Sequence, residues 1–220
     1  MTSKLIKIKE KIKAAAQLSS RNPEDITLVA VSKIHTAQTI IEVLKEGQRI
    51  FGENRVQEAA QKWPALKEQF SGVVLHLIGP LQSNKVRQAL SLFDVIETVD
   101  RPKLARAIAR ISMETGEVCD IYIQVNTGLE SQKAGVAPEQ ADALIALCQD
   151  ELKLSVKGVM CIPPEGEDPV KHFKLLKEIA QRNKLSVISM GMSGDFESAI
   201  EHGATHVRVG TAIFGSRPSH

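Results

Sequence analysis

The chain has 220 residues, a net charge of +2, and 43% hydrophobic against 25% charged residues. This is the make-up of a globular protein that buries a sizeable core; it excludes a disordered or collagen-like chain and supplies no dominant basic patch for nucleic acid. No apolar run reaches the roughly 18 residues of a membrane span, and the three cysteines, Cys119, Cys148 and Cys161, are too few and too scattered for a disulfide framework, so a cytoplasmic protein without membrane or nucleic-acid partners is expected.

The first element is an amphipathic helix over Lys4 to Leu18, with lysines recurring among isoleucines. Thr27 to Ser32 follows as a short apolar run suited to a buried parallel strand. The alternation then repeats. Strands are expected over Arg49 to Gly52, Val73 to Ile78, Val95 to Val99, Asp120 to Asn126, Ser155 to Met160, Leu185 to Met190 and Thr205 to Val209. Helices are expected over Thr36 to Glu46, Glu53 to Phe70, Asn84 to Leu92, Arg101 to Thr115, Pro138 to Gln149, Pro169 to Asn183 and Asp195 to His202. Eight strands joined by seven helices imply a parallel sheet with right-handed crossovers. A closed barrel and a doubly wound open sheet both qualify. The count and even spacing favour the barrel, and the turn after the first strand, Ser32-Lys33-Ile34-His35-Thr36, lacks the glycines of a dinucleotide-binding turn. The expected fold is therefore α/β, a single (β/α)8 TIM barrel over residues 1–220, with an extra N-terminal helix capping its bottom.

In such a barrel, chemistry belongs at the C-terminal strand ends. Lys33 follows the first strand, where it is either a solvated rim residue or an amine that forms an imine with an aldehyde. After the seventh strand comes Ser189-Met190-Gly191-Met192-Ser193-Gly194-Asp195, and after the eighth Arg208-Val209-Gly210-Thr211-Ala212-Ile213-Phe214-Gly215. Each alone reads as a turn with a hydroxyl cap. In succession, at the two strand ends where barrels often hold phosphate, they favour a phosphate site. Strands eight and one are neighbours in a closed barrel, so lysine and phosphate together suggest a phosphorylated aldehyde. Arg208 alternates with Val207 and Val209 and is expected to face inward, where a pyridine nitrogen is a suitable partner. Asn54 follows the second strand, and His76, within the third, is either a satisfied core histidine or a ligand contact. The histidines show no metal-ligand spacing, so no metal site is expected.

The chain resembles the pyridoxal phosphate homeostasis proteins, the YggS or PROSC family. The segments that carry the likeness are Val29-Ala30-Val31-Ser32-Lys33, Phe51 to Glu58, His76 to Lys85, Val125-Asn126-Thr127, Lys133-Ala134-Gly135, Ser189 to Phe196 and Arg208 to Gly215. One departure adjoins the lysine: Ile34-His35 stands where many members have Thr and Lys or Pro. The resemblance implies a fold like the N-terminal domain of bacterial alanine racemase, with pyridoxal 5'-phosphate as a Schiff base on Lys33. It also implies phosphate contacts from Ser193, Gly194, Gly210 and Thr211, Arg208 near the pyridine nitrogen, and Asn54, His76 and Met190 near the cofactor. A carrier is implied rather than a catalyst, one that stores the cofactor and passes it to apo-enzymes as transient recipients; the sequence itself shows no obvious exposed apolar stripe, so a monomer is expected. The alternative is an amino-acid racemase of the alanine racemase type. The only tyrosine available as a second base is Tyr122, inside a strand, where a core or wall role is simpler.

Overall fold

A computed structural model describes residues 3–215. Its centre is a closed, all-parallel barrel in sequential order. The strands are β1 (Thr27–Val31), β2 (Ile50–Glu53), β3 (Val74–Leu77), β4 (Val95–Val99), β5 (Asp120–Gln124), β6 (Ser155–Met160), β7 (Val187–Ser189) and β8 (His206–Val209). The helices are α1 (Lys4–Leu18), α2 (Ala37–Lys45), α3 (Val56–Gln69), α4 (Val86–Leu90), α5 (Pro102–Thr115), α6 (Ala141–Ala146), α7 (Val170–Arg182), α8 (Phe196–Glu201) and α9 (Thr211–Phe214). No described helix is long and apolar enough to cross a membrane.

Every expected element is present, and the differences lie at the ends of elements and within the sixth helical stretch. Glu53, expected to open a helix, is instead the last residue of β2 and fully buried. The fifth strand stops at Gln124, because the side chain of Asn126 turns back on the loop, donating to the carbonyl of Glu130 at 2.8 Å and accepting from its N–H at 3.2 Å. The sixth helical stretch splits into a 3-10 turn at Pro138–Gln140, then α6, then a π-helical turn at Leu147–Glu151.

One placement is corrected. The first helix does not cap the barrel's bottom: α1 lies alongside α8 and α9 in the outer ring. Its buried residues, Leu5, Ile8, Ile12, Ala15 and Ala16, form one stripe at helical spacing, which suits a side-on contact. Arg21 fixes the exit of α1 by donating to the carbonyls of Ile200 and Ala204 at 2.8 and 2.7 Å, and Ser3 donates to Glu46, just past α2, at 2.6 Å.

Strand alternation divides the side chains. Outward residues such as Phe51, Leu75, Ile96, Val207 and Val209 join the large core shared with the helices, while Val95, Tyr122 and Met160 form a small cluster of their own inside the barrel. Beside that cluster the interior is polar, with His76 paired to Val95 and Ser189 to Met160, which a closed barrel tolerates only when its polar members satisfy one another.

Candidate functional site

A cleft of ≈350 Å³ opens at the C-terminal end of the barrel, within the usual range of about 300–1,000 Å³ for small-molecule sites. Lys33 stands on one wall, Ser193, Gly194, Gly210 and Thr211 on another, Arg208 at the base, and Asn54 on the side of β2. The closure of β1 on β8 creates this arrangement, because Val29 pairs with Arg208 and Ala30 with Val209. Two loop glycines are required by geometry. Gly191 turns the chain after β7 at φ +89°, and a Cβ there would lie 2.5 Å from the Cβ of Ala199; a Cβ at Gly79 would lie 2.1 Å from the carbonyl oxygen of Asn54.

Of the nine residues expected at the site, seven line the cleft and two do not. Met190 follows the inward-facing Ser189, so alternation turns it outward into the core shared with the helices. His76 does face inward, but below the cleft, where its Nδ1 lies 2.6 Å from Oε1 of Glu97. An ionised carboxylate only accepts, so Nδ1 carries the proton.

Glu97 is the residue the sequence reading missed. It is fully buried on β4 and joins His76 to Arg208. Ser189 donates to Glu97 Oε2 at 2.6 Å and accepts from Arg208 Nη1 at 2.7 Å, while Arg208 Nη2 donates to the carbonyl of Cys161 at 2.8 Å. The guanidinium is 4.0 Å from the Glu97 carboxylate. These two bonds use two of its five N–H donors, which leaves others for the cleft. Burial opposes ionisation of Glu97, but the His76 hydrogen bond, the charges of His76 and Arg208 and the Ser189 hydrogen bond outweigh it and hold the carboxyl below its ordinary pKa. The signal in the sequence was a lone acid within the apolar run Val95-Ile96-Glu97-Thr98-Val99.

Nearby groups are poor proton carriers. Tyr122 is buried between His76 and His206, edge-on to both, and burial pushes its phenol up. Burial also takes His206 down to about 4 and Cys161 up to about 12, so the imidazole stays neutral and the thiol protonated near neutral pH. The cleft therefore offers a primary amine, a fixed cation, a hydroxyl- and amide-rich corner and the imidazole of His35, which burial and the charge of Lys62 hold below its ordinary pKa.

Residues 4–218 match the family model described as alanine racemase, N-terminal domain. The pyridoxal phosphate homeostasis protein of Escherichia coli K12 is 38% identical over 222 residues, covering 97% of this chain and 95% of the relative. PipY of Synechococcus elongatus PCC7942, solved with PLP bound, superposes with a TM-score of 0.80 at 37% identity, covering 93% of this chain and 100% of that one. Alanine racemase of Clostridium difficile 630 shares the fold, with a TM-score of 0.73 at 17% identity, and this chain covers only 56% of it.

Proposed function

The chain belongs to the pyridoxal phosphate homeostasis proteins, within the alanine racemase N-terminal domain family, and on that premise we propose that it binds pyridoxal 5'-phosphate as a Schiff base on Lys33 and serves intracellular cofactor balance as a carrier. The observation that carries this reading is the meeting of Lys33, Arg208 and the two hydroxyl–glycine loops on one cleft. The donor set fits the three polar ends of the cofactor: an amine for the aldehyde, a guanidinium for the ring nitrogen, and Ser193, Gly194, Gly210 and Thr211 for the phosphate. Asn54 completes the wall on the side of β2. His76 acts from beneath, through Glu97. The bound cofactor supplies the electron sink of its pyridine ring. An arginine at the ring nitrogen stays protonated and keeps that nitrogen unprotonated, which weakens the sink.

The carrier reading rests on what faces the cleft. A racemase of the two-base type needs a second base across from the lysine. Tyr122 is buried in the barrel interior, Cys161 is buried with its carbonyl committed to Arg208, and His35, which lines the cleft, shares the turn of Lys33 and stacks on Phe214 rather than standing across from the amine. We take residues 1–220 as one domain acting in the cytoplasm as a monomer that releases the cofactor to apo-enzymes. Purified protein mixed with pyridoxal phosphate is expected to turn yellow, and borohydride to trap the cofactor on Lys33 and not in Lys33→Ala. The loaded protein is expected to pass cofactor to an apo-enzyme without exchanging the α-proton of amino acids. Rapid Lys33-dependent deuterium uptake by an amino acid would overturn the carrier reading; absence of the imine absorption would overturn the cofactor assignment.

A further inference from the structure

Lys33 sits in a turn that its own sequence does not favour. The N–H of His35 donates to the carbonyl of Ser32 at 3.1 Å, closing a four-residue turn with Lys33 and Ile34 at its centre. Ile34, the third residue, has φ +63°. Glycine or asparagine belongs there, because a β-branched side chain in left-handed backbone crowds its own carbonyl. Nor does burial hold it in place: Ile34 is 44% exposed. Something else must hold the turn.

The holding groups come from α3. Lys62 reaches under the turn and donates to the carbonyls of Ser32 and His35, both at 3.2 Å. Glu58, one helical turn earlier, accepts from the strained Ile34 N–H at 2.6 Å and pairs with Lys62 at 2.9 Å. Lys62 is itself pinned by Glu53, at 2.9 Å, and Glu53 accepts from Ser32 Oγ at 2.6 Å and from the Trp63 indole at 3.0 Å. The Lys62 side chain is 10% exposed and that of Glu53 0%, so these contacts are shielded and cost little to screening. Two carbonyls and one N–H of a single turn are thus held by one ion pair. On its other side the turn meets α9, where the His35 ring stacks on Phe214 at 4.9 Å.

We propose that Lys62 and Glu58 are positioning residues that hold the Lys33 turn in a strained, cofactor-receptive form, with Ile34 as its strained hinge. Neither side chain lines the cleft. Both act through the backbone on either side of Lys33. The cofactor part of this inference rests on Lys33 being the anchor; the clamp itself does not. When the clamp is cut, Ile34 relaxes to ordinary backbone and the receptive form becomes a minor population, so apparent affinity falls by that fraction. With glycine at 34 the left-handed turn carries no strain and the clamp matters less.

The test is a double-mutant cycle in the full chain, read by pyridoxal phosphate titration and by amide hydrogen exchange without cofactor. Lys62→Met removes the counter-charge of buried Glu53 and endangers folding, so Glu58→Gln is the gentler companion. Each is expected to weaken pyridoxal phosphate binding about tenfold in the wild-type background, the scale of releasing one L-residue from left-handed backbone. In an Ile34→Gly background, each is expected to cost less than about threefold, because glycine needs no clamp there. Without cofactor, each is expected to speed exchange of the Ile34 and His35 amides. Equal losses in both backgrounds, or unchanged exchange, would overturn the proposal. Wild-type protein that takes up no cofactor on Lys33 would overturn the anchor assignment instead, and the exchange measurement would still decide the clamp.

Discussion

Replacing Glu97 by leucine isolates the central contact of the barrel interior. The carboxylate is 0% exposed and bonded at 2.6 Å to both His76 and Ser189, with Arg208 4.0 Å away. At that separation two unit charges interact by about 4 kcal/mol at an effective dielectric near 20. Removing one partner of a buried pair costs about 3–5 kcal/mol by experience elsewhere, because the survivor is left buried and unpaired. Both routes give a loss of roughly 3–5 kcal/mol for Glu97→Leu, measured by urea unfolding at pH 7 with an unchanged denaturant slope. Arg208→Leu with Glu97→Leu is expected to cost less than the two single losses added, since removing both charges leaves neither stranded. Acid should also withdraw the contribution of this carboxylate. The folded pKa of Glu97 lies below its ordinary value of 4.5, so its stabilisation is present above that value and disappears as pH falls through the lower folded one. A Glu97→Leu protein within about 1 kcal/mol of wild type, or strictly additive single effects, would refute the view that Glu97 anchors Arg208.

Ser193→Ala and Thr211→Ala are each expected to weaken pyridoxal phosphate binding by about 1–3 kcal/mol through loss of a hydrogen bond to a charged group. Binding of pyridoxal, which lacks the phosphate, should be unaffected; equal weakening for both ligands would move the phosphate elsewhere. Burial, reinforced by the charges of His76 and Arg208 and opposed by Glu97, takes His206 from 6.5 to about 4, so the unfolded chain binds the extra proton across that interval. Wild-type stability should therefore fall from pH 6.5 towards 4 relative to His206→Gln. A stability difference between the two proteins that stays flat over that range would count against a buried neutral imidazole.

The barrel was legible because its strands read as short, largely apolar runs at even spacing between helical stretches, eight in number, and the eighth closes on the first. The strand-end rule then led to Lys33 and to both hydroxyl–glycine loops without knowledge of a single contact. Met190, which the family resemblance brought in, adjoins the Ser193 loop in sequence but is turned into the core by the two-residue period of its strand. The place of α1 beside α8 and α9 was not legible, because which neighbours an amphipathic stripe packs against is set by the whole ring and not by the helix. Glu97 and Lys62 were missed for a third reason: each acts on a residue far away in sequence, and periodicity carries no information about such pairs. That division has a chemical consequence. The groups that face the cleft come from strand ends, where a topological rule finds them, but the groups that orient them come from other elements. Arg208 on β8 is set by Glu97 on β4 through Ser189. The Lys33 turn after β1 is set by Lys62 on α3. Substituting a cleft residue should therefore change what binds, while substituting its support should change how much of the protein is ready to bind, and only titration against a cofactor-free measure of the turn separates the two.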